Sequence, residues 1–326
     1  MPHIPVLLQE CLTVLDPKPG EVFTDGTLGG GGHAREIFAK IVPGGTLLAV
    51  DRDPRAVELA AKTFEPSAKS RLLIEAASYS EIPALMKKFE IEKLDGLLLD
   101  LGFSSEQIIG GTLAGRGFSF MTDEPLLMTY DEKTKSLAAL LAELSEDDLA
   151  SIIEQYGEER FAKQIAKSIV QKTRKEGIAT TGQLVSAIKE AVPANYEQGR
   201  IHPATRTFQA LRIYANGELR ELEIILAALP KIMAKGGRVA IISFHSLEDR
   251  IVKQHFQAFA RSGGRSAKYE KFSRMPGEAP NSATAPDLGA ARQVDLLTKK
   301  PITSTEKELF KNPRSRSAKL RAIRFL

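Results

Sequence analysis

A single cysteine, Cys11, stands in a chain of 326 residues. It can form no internal disulfide, and a lone thiol in a chain of this length fits a reducing compartment. No apolar run approaches the ~18 residues that a membrane span requires. Met1-Pro2-His3-Ile4-Pro5-Val6 has neither the basic start nor the small-residue cleavage site of a secretory signal. No unit recurs at solenoid spacing. The five histidines show no HExxH or related spacing, so no metal site is expected. An excess of one charge is missing too: 45 lysines and arginines face 41 acids, a net of +4, in a chain that is 43% apolar. That is an ordinary globular composition, with length enough for one large domain or two ordinary ones. A soluble, cytoplasmic protein is expected.

The near-balance hides a basic tail. Residues 298–326 hold Lys299, Lys300, Lys307, Lys311, Arg314, Arg316, Lys319, Arg321 and Arg324 against only Glu306 and Glu308. Such a tail reads either as a phosphate-binding edge or as a solvated terminus.

The first hundred residues alternate strand and helix. Val22–Thr24, Thr46–Val50, Leu72–Ile74 and Leu97–Leu99 read as buried strands, and His33–Ile41, Pro54–Phe64 and Glu81–Phe89 as helices. Asp53 before Pro54 is a helix start signal. Strands alternating with single helices imply right-handed crossovers and a parallel sheet. Residues 136–229 carry only helical signals. Among them are a start at Ser145, a helix over Glu158–Arg174, a cap at Thr181 and a long helix after Pro203. A buried strand returns at Arg238–Ser243, and Ala318–Leu326 alternates as a final strand. The expectation is an α/β domain from residues 1–105 and 230–326, interrupted by an all-α insertion over 106–229. Residues 260–297, almost half of them Gly, Pro, Ala or Ser, read as a flexible loop.

Asp25-Gly26-Thr27-Leu28-Gly29-Gly30-Gly31-Gly32-His33 lies between the first strand and the first helix. Glycines there let a ligand approach the backbone, and the helix start offers unpaired N–H groups. Asp51 closes the next strand, where a carboxylate can take ribose hydroxyls. The run also satisfies the dinucleotide pattern G-x-G-x-x-A, with Asp51 about twenty residues on, which keeps a nicotinamide oxidoreductase open. Asp25 discriminates: a carboxylate before the glycines repels a pyrophosphate but welcomes the ammonium and sulfonium of S-adenosylmethionine. Asp100-Leu101-Gly102-Phe103 follows the fourth strand, the layout of enzymes that methylate exocyclic amines. There an acid accepts N–H bonds from the amine and an aromatic stacks on the base. Taken alone, Asp100 reads equally as a helix cap and Phe103 as a core residue.

Eight motifs then occur in order. They are His3–Leu8, Asp25–His33, Asp100-Leu101-Gly102 with Ser104-Ser105, Arg116-Gly117-Phe118-Ser119-Phe120, Tyr156-Gly157-Glu158-Glu159-Arg160, His202–Arg212, Ser243–Arg250 and Asn312–Arg321. Together they resemble the RsmH (MraW) family, bacterial methyltransferases that act on the N4 amine of a cytidine in the decoding region of 16S ribosomal RNA. The resemblance covers nearly the whole chain. It implies a class I S-adenosylmethionine-dependent methyltransferase fold, Rossmann-like with a mostly parallel sheet, and an inserted all-α domain for substrate recognition. It implies cofactor contacts from Gly31, Gly32, His33, Asp51, Tyr79, Asp100 and Gln107; Asp100, in the acid–aromatic motif, is also the candidate catalytic residue that orients the amine. Asp51 would hold the ribose, Tyr79 the adenine, and the glycines with His33 the methionine end. The implied partner is 16S ribosomal RNA or the small ribosomal subunit, with no membrane, and a homodimer stays open. A SAM-binding assembly factor without catalysis is a further alternative.

Two departures from the family pattern stand out. Leu127-Met128-Thr129-Tyr130-Asp131 replaces an expected Asp-Met-Arg-Met-Asp, and Ile109 stands where an aspartate is usual. His202 and His245 read either as RNA contacts or as structural residues. Arg206, Arg212 and Arg250 read as partners of phosphate or of nearby acids, and Arg314, Arg316, Lys319 and Arg321 as the stronger RNA candidates.

Overall fold

The structure, a computed structural model, describes residues 5–64, 69–102, 111–130, 134–196, 201–261 and 293–326. These divide into two compact units. One gathers the described residues of Met1–Ser104, Glu221–Glu270 and Ala283–Leu326, the other those of Ser105–Arg220.

The first unit is built on β1 (Val22–Asp25), β2 (Thr46–Asp51), β3 (Arg71–Ala76), β4 (Leu94–Asp100), β5 (Met233–Ser243), β6 (Val294–Leu296) and β7 (Lys319–Phe325). Their order in the sheet is β3-β2-β1-β4-β5-β7-β6. The first five run parallel, and β7 lies antiparallel to both of its neighbours. Central strands read as near-continuous apolar runs because both faces of a parallel sheet are covered. Phe23, Leu47, Leu48, Ala49, Val50, Leu97, Leu98 and Leu99 are accordingly all buried. The helices Leu8–Leu15 and Gly32–Ile41 supply Leu12, Leu15, Ile37, Phe38 and Ile41 to this core. Gly96 leaves room for the Phe23 ring, which a Cβ there would overlap.

Local chemistry sets the helix ends, and some differ from expectation. Asp53 accepts from Arg55 N at 2.9 Å ahead of Pro54, but the helix stops at Ala61, short of Phe64. Thr180, not Thr181, caps the helix Thr181–Ala191: its hydroxyl accepts from Gln183 N while Gln183 Oε1 accepts from Thr180 N. The Thr181 hydroxyl is committed elsewhere, donating to Thr122 O and accepting from Glu124 N. β6 lies inside the stretch read as loop, since three residues are too few to show a period. Residues 262–292 of that stretch lie outside the described residues.

In the second unit the helices are Leu137–Glu143, Glu146–Gly157, Ala162–Glu176, Thr181–Ala191 and Thr205–Asn216. Two of the ordered motifs meet here. Glu158, at φ 49°, closes the helix Glu146–Gly157, so the next begins only at Ala162. Buried Glu159 accepts from Tyr196 Oη at 2.6 Å and from Phe161 N at 2.8 Å. Arg160 lies over the rings of Phe161 and Tyr196, 4.9 Å from each centroid. Arg206 Nη1 donates to Glu158 O and Gln209 Nε2 to Tyr156 O. A Cβ on Gly157 would sit 2.8 Å from Arg206 O, a backbone atom that cannot rotate away. Gly157→Ala is therefore expected to lower stability by roughly 1–3 kcal/mol, read as a lower denaturation midpoint at unchanged slope. An unchanged midpoint would show that the helices part at no cost.

The segment around Thr129 packs within this unit as well. Arg116 is buried and donates to Thr129 O at 2.7 Å and to Thr129 Oγ1 at 3.2 Å. The guanidinium of Arg116 thus meets both a carbonyl and a hydroxyl of Thr129. His202 stacks on Phe120 with centroids 4.7 Å apart, its Nδ1 accepts from Ala204 N, and burial lowers its pKa. Arg212 pairs with Glu218 at 3.0 Å. These side chains already have structural work.

Candidate active site

In a parallel sheet, ligands gather at the carboxyl ends of the strands. Asp25, Asp51 and Asp100 are the last residues of β1, β2 and β4, three neighbours in the sheet. The register sets Asp25 beside Leu98 and Ala49, and so brings the three carboxylates to one edge.

Each acid is held by the loops it helps to build. Asp25, 1% exposed, accepts from Thr27 N at 3.0 Å. The Thr27 hydroxyl donates toward Asp25 Oδ1 at 3.4 Å and accepts from Asp100 N at 2.6 Å, linking the two strand ends. Asp51 accepts from Gly29 N at 2.7 Å and from Asp53 N at 2.9 Å, one bond to each oxygen. Both oxygens keep lone pairs for further donors. The helix Gly32–Ile41 starts without a side-chain cap at Gly31, whose φ of 73° suits glycine. Within its first turn the Ala34 amide bonds to Asp25, tying the helix start to the end of β1. Gly32 lies so close beneath Pro5 that a Cβ would overlap the proline ring. His33 is buried, with Nε2 3.0 Å from Val6 O and Nδ1 3.9 Å from Asp100 Oδ2. Because a carbonyl only accepts, Nε2 carries the proton in that bond.

Burial drives the electrostatics. It pushes the Asp25 carboxyl up to about 7, with the Asp51 charge adding to the shift and the Thr27 amide opposing it. Asp100 rises to about 8, chiefly through burial, then through the Asp25 charge, with Glu248 adding and Arg314 opposing. Burial raises Asp51 also. Asp100 Oδ1 is buried and has no hydrogen-bond partner among the described residues. A buried acceptor left open is costly and signals a missing donor. Three acids that resist ionisation together, one of them short of a donor, suit a ligand that carries positive charge and N–H groups.

Tyr79 and Phe244 pack against two glycines of this edge, Gly26 and Gly102. Tyr79 opens the 3-10 turn after β3, and a Cβ on Gly26 would lie 3.0 Å from its Cβ. Glu221 accepts short hydrogen bonds from the hydroxyls of Ser78 and Ser80 on either side of Tyr79. Phe244 covers Gly102, where a Cβ would overlap its ring. His245 caps the helix Ser246–Ala260, and Glu248 accepts from Phe244 N at 2.8 Å and from His245 N at 3.3 Å.

Of the residues singled out from sequence, Gly31, Gly32, His33, Asp51, Tyr79 and Asp100 all lie along this edge. Gln107, Phe103 and Ile109 lie outside the described residues. Sequence reasoning missed Thr27, Glu221 and Glu248. Thr27 and Glu248 stand inside quoted motifs, so the signal was present without a role attached. Glu221 gave no local signal, since its partners are 143 and 141 positions away.

A sheet of this order, with a glycine loop after β1 and acids closing β1, β2 and β4, defines a class I, Rossmann-like methyltransferase. The chain belongs to the MraW methylase family, which matches residues 1–326. It is 43% identical to the ribosomal RNA small subunit methyltransferase H of Geotalea daltonii, over 98% of this chain and 97% of that one. It is 44% identical to the protein of the same name from Geotalea uraniireducens, again over 98% and 97%. The solved structure of TrmN from Thermus thermophilus superimposes with a TM-score of 0.40 at 11% identity, covering 98% of this chain and 48% of that one. No helix among the described residues is long and apolar enough to cross a membrane.

Proposed function

We propose that the chain methylates the N4 amine of a cytidine in the decoding region of 16S ribosomal RNA, with S-adenosylmethionine as the donor. The observation that carries this reading is the cluster of Asp25, Asp51 and Asp100 at one sheet edge, with Asp100 Oδ1 short of a donor. A pyrophosphate placed there would oppose buried carboxylates, at a cost that favours a cationic ligand over a dinucleotide. The names of the relatives at 43% and 44% identity support small-subunit ribosomal RNA as the substrate.

The donor, when bound, supplies a methyl group made electrophilic by its sulfonium. Asp51 takes the ribose hydroxyls on the lone pairs its loop leaves open. Gly31, Gly32 and His33 line the methionine end, Tyr79 lies against the adenine, and Gln107 is assigned by the family resemblance alone. Asp25 and Asp100 hold negative charge beside the cationic centres. Asp100 also accepts an N–H bond from the target amine. That favours the pyramidal nitrogen needed for attack, since the lone pair of a planar amine is spread into the ring. The same carboxylate takes up the proton the amine sheds. Alignment of this kind can supply about 7–11 kcal/mol of the barrier. The base has to leave its stack to be reached, and residues 106–229 are assigned to its recognition. A protein acting on ribosomal RNA would work in the cytoplasm.

The test is incubation with radiolabelled donor and unmethylated small subunits, followed by mapping of the labelled nucleotide. Label on the N4 of a decoding-region cytidine is expected. Label elsewhere would correct the substrate, and donor binding without any label would leave an assembly factor. Calorimetry with S-adenosylhomocysteine and with NAD separates the oxidoreductase reading, which needs NAD to bind in preference.

A further inference from the structure

The basic tail does not act as one unit. Arg321 pairs with Asp249 at 2.7 Å, Lys319 with the same carboxylate at 3.6 Å, and Arg324 with Asp295 at 3.0 Å. Lys307, Lys311 and Arg316 are exposed and form no ion pair among the described residues. Lys307 and Lys311 belong to the short helix Glu306–Lys311, and Phe310 stands between them, 90% exposed. Residues at i, i+3 and i+4 share a helix face, so the helix presents lysine, phenyl ring and lysine together. Arg316 follows in the 3-10 turn Pro313–Ser317.

This face is fixed, and it lies beside the site. Glu308 Oε1 accepts from Leu7 N at 2.8 Å, and Val6, the residue before, meets His33 with its carbonyl. Ser304 Oγ donates to Ser315 O and Ser315 Oγ to Asn312 O, bracing the turn. β7 begins at Lys319, paired with Ser243 at the carboxyl end of β5, so the segment entering it lies at the ligand-binding edge. Arg314, in the same turn, is near enough to bear on the Asp100 charge.

We propose that Phe310 is a stacking platform for an unpaired nucleotide of the RNA substrate, with Lys307, Lys311 and Arg316 meeting the phosphates on either side. This rests on the reading that the substrate is RNA. Every base has a π-face, so an exposed ring flanked by cations grips single-stranded nucleic acid with little sequence preference. The core of a protein–protein contact is depleted of charge, and here the ring is flanked by lysines and an arginine. Extruding one cytidine unstacks its neighbours, and a ring at the rim can take up one of them.

The chain contains no tryptophan, so Phe310→Trp creates a single reporter in the otherwise unaltered full-length protein. Adding short single-stranded oligoadenylate is expected to quench its fluorescence, and duplex RNA of equal concentration to quench it far less. Phe310→Ala is expected to raise KM for unmethylated small subunits roughly 5- to 100-fold, with kcat, donor affinity and melting temperature unchanged. Phe310→Trp should keep KM near that of the unaltered protein. An unchanged KM in Phe310→Ala, or absence of quenching, overturns the platform while leaving the proposed function intact. Quenching by stripped ribosomal proteins and not by RNA would also overturn it. If the unaltered protein labels no ribosomal RNA at all, the functional reading fails first, and quenching by oligoadenylate still tests the platform by itself.

Discussion

Asp100→Asn is expected to lose about 10²-fold or more in turnover and yet to melt at a higher temperature than the unaltered protein above pH 8. Both effects come from one carboxylate. Asp100 titrates at about 8 in the folded chain, raised first by burial and then by Asp25. In the unfolded chain it titrates near the ordinary value of about 3.9. Between those limits the folded state holds a proton that the unfolded state has released. Stability therefore falls as pH rises through this window, and the full cost is present above it. An amide of the same shape has no charge to desolvate, so the gain should be absent near pH 4 and should grow toward pH 8. A gain of about 1–3 kcal/mol is expected at the upper end, smaller than the full shift implies because neighbours relax. Thermal melts across that range check the stability, and single-turnover methylation checks the rate. A variant less stable than the parent at pH 8.5, or one that methylates normally, would remove Asp100 from this role.

The donor's affinity is expected to rise with pH through the range in which Asp25 and Asp100 ionise, about 7 and about 8. The pocket that receives a cation is the anionic one, so binding at neutral pH has to release protons. Between pH 6 and pH 8 affinity should improve by roughly tenfold or more. S-adenosylhomocysteine lacks the sulfonium charge and should show a shallower dependence. Calorimetry in two buffers of different ionisation enthalpy reads the released protons directly. Equal heats in both buffers would mean that binding releases no proton, and the electrostatic account would fail.

What could be read ahead of the structure follows from the range of each interaction. Buried strands were legible because an apolar run such as Thr46–Val50 carries its own signal, and Asp53-Pro54 announces a helix locally. Asp25 and Asp51 were legible for the same reason, each closing a strand beside a turn. Thr181 was misread as a cap because Thr180 offers the same hydroxyl, and only the distant Thr122 and Glu124 decide between them. Nothing near Val294–Leu296 reveals a strand, since its only ladder partner among the described residues is β7. The tail arginines looked alike in sequence. Arg321 differs from Arg316 because Asp249 lies across the fold from one and not from the other. Glu221 was silent for the same reason: a carboxylate on a helix acquires meaning only when Ser78 and Ser80 arrive beside it.

The position of β7 has a consequence during synthesis. Among the described residues it is the last strand in order, and it lies inside the sheet, between β5 and β6. While a ribosome still covers residues 319–325, β5 presents a bare row of amides and carbonyls, and β6 lacks its ladder partner. The edge that carries Asp25, Asp51 and Asp100 can be drafted early, from β1, β2 and β4, but closure of the sheet waits for translation to pass β7. Until then the nascent protein exposes the kind of open border along which chains stick together.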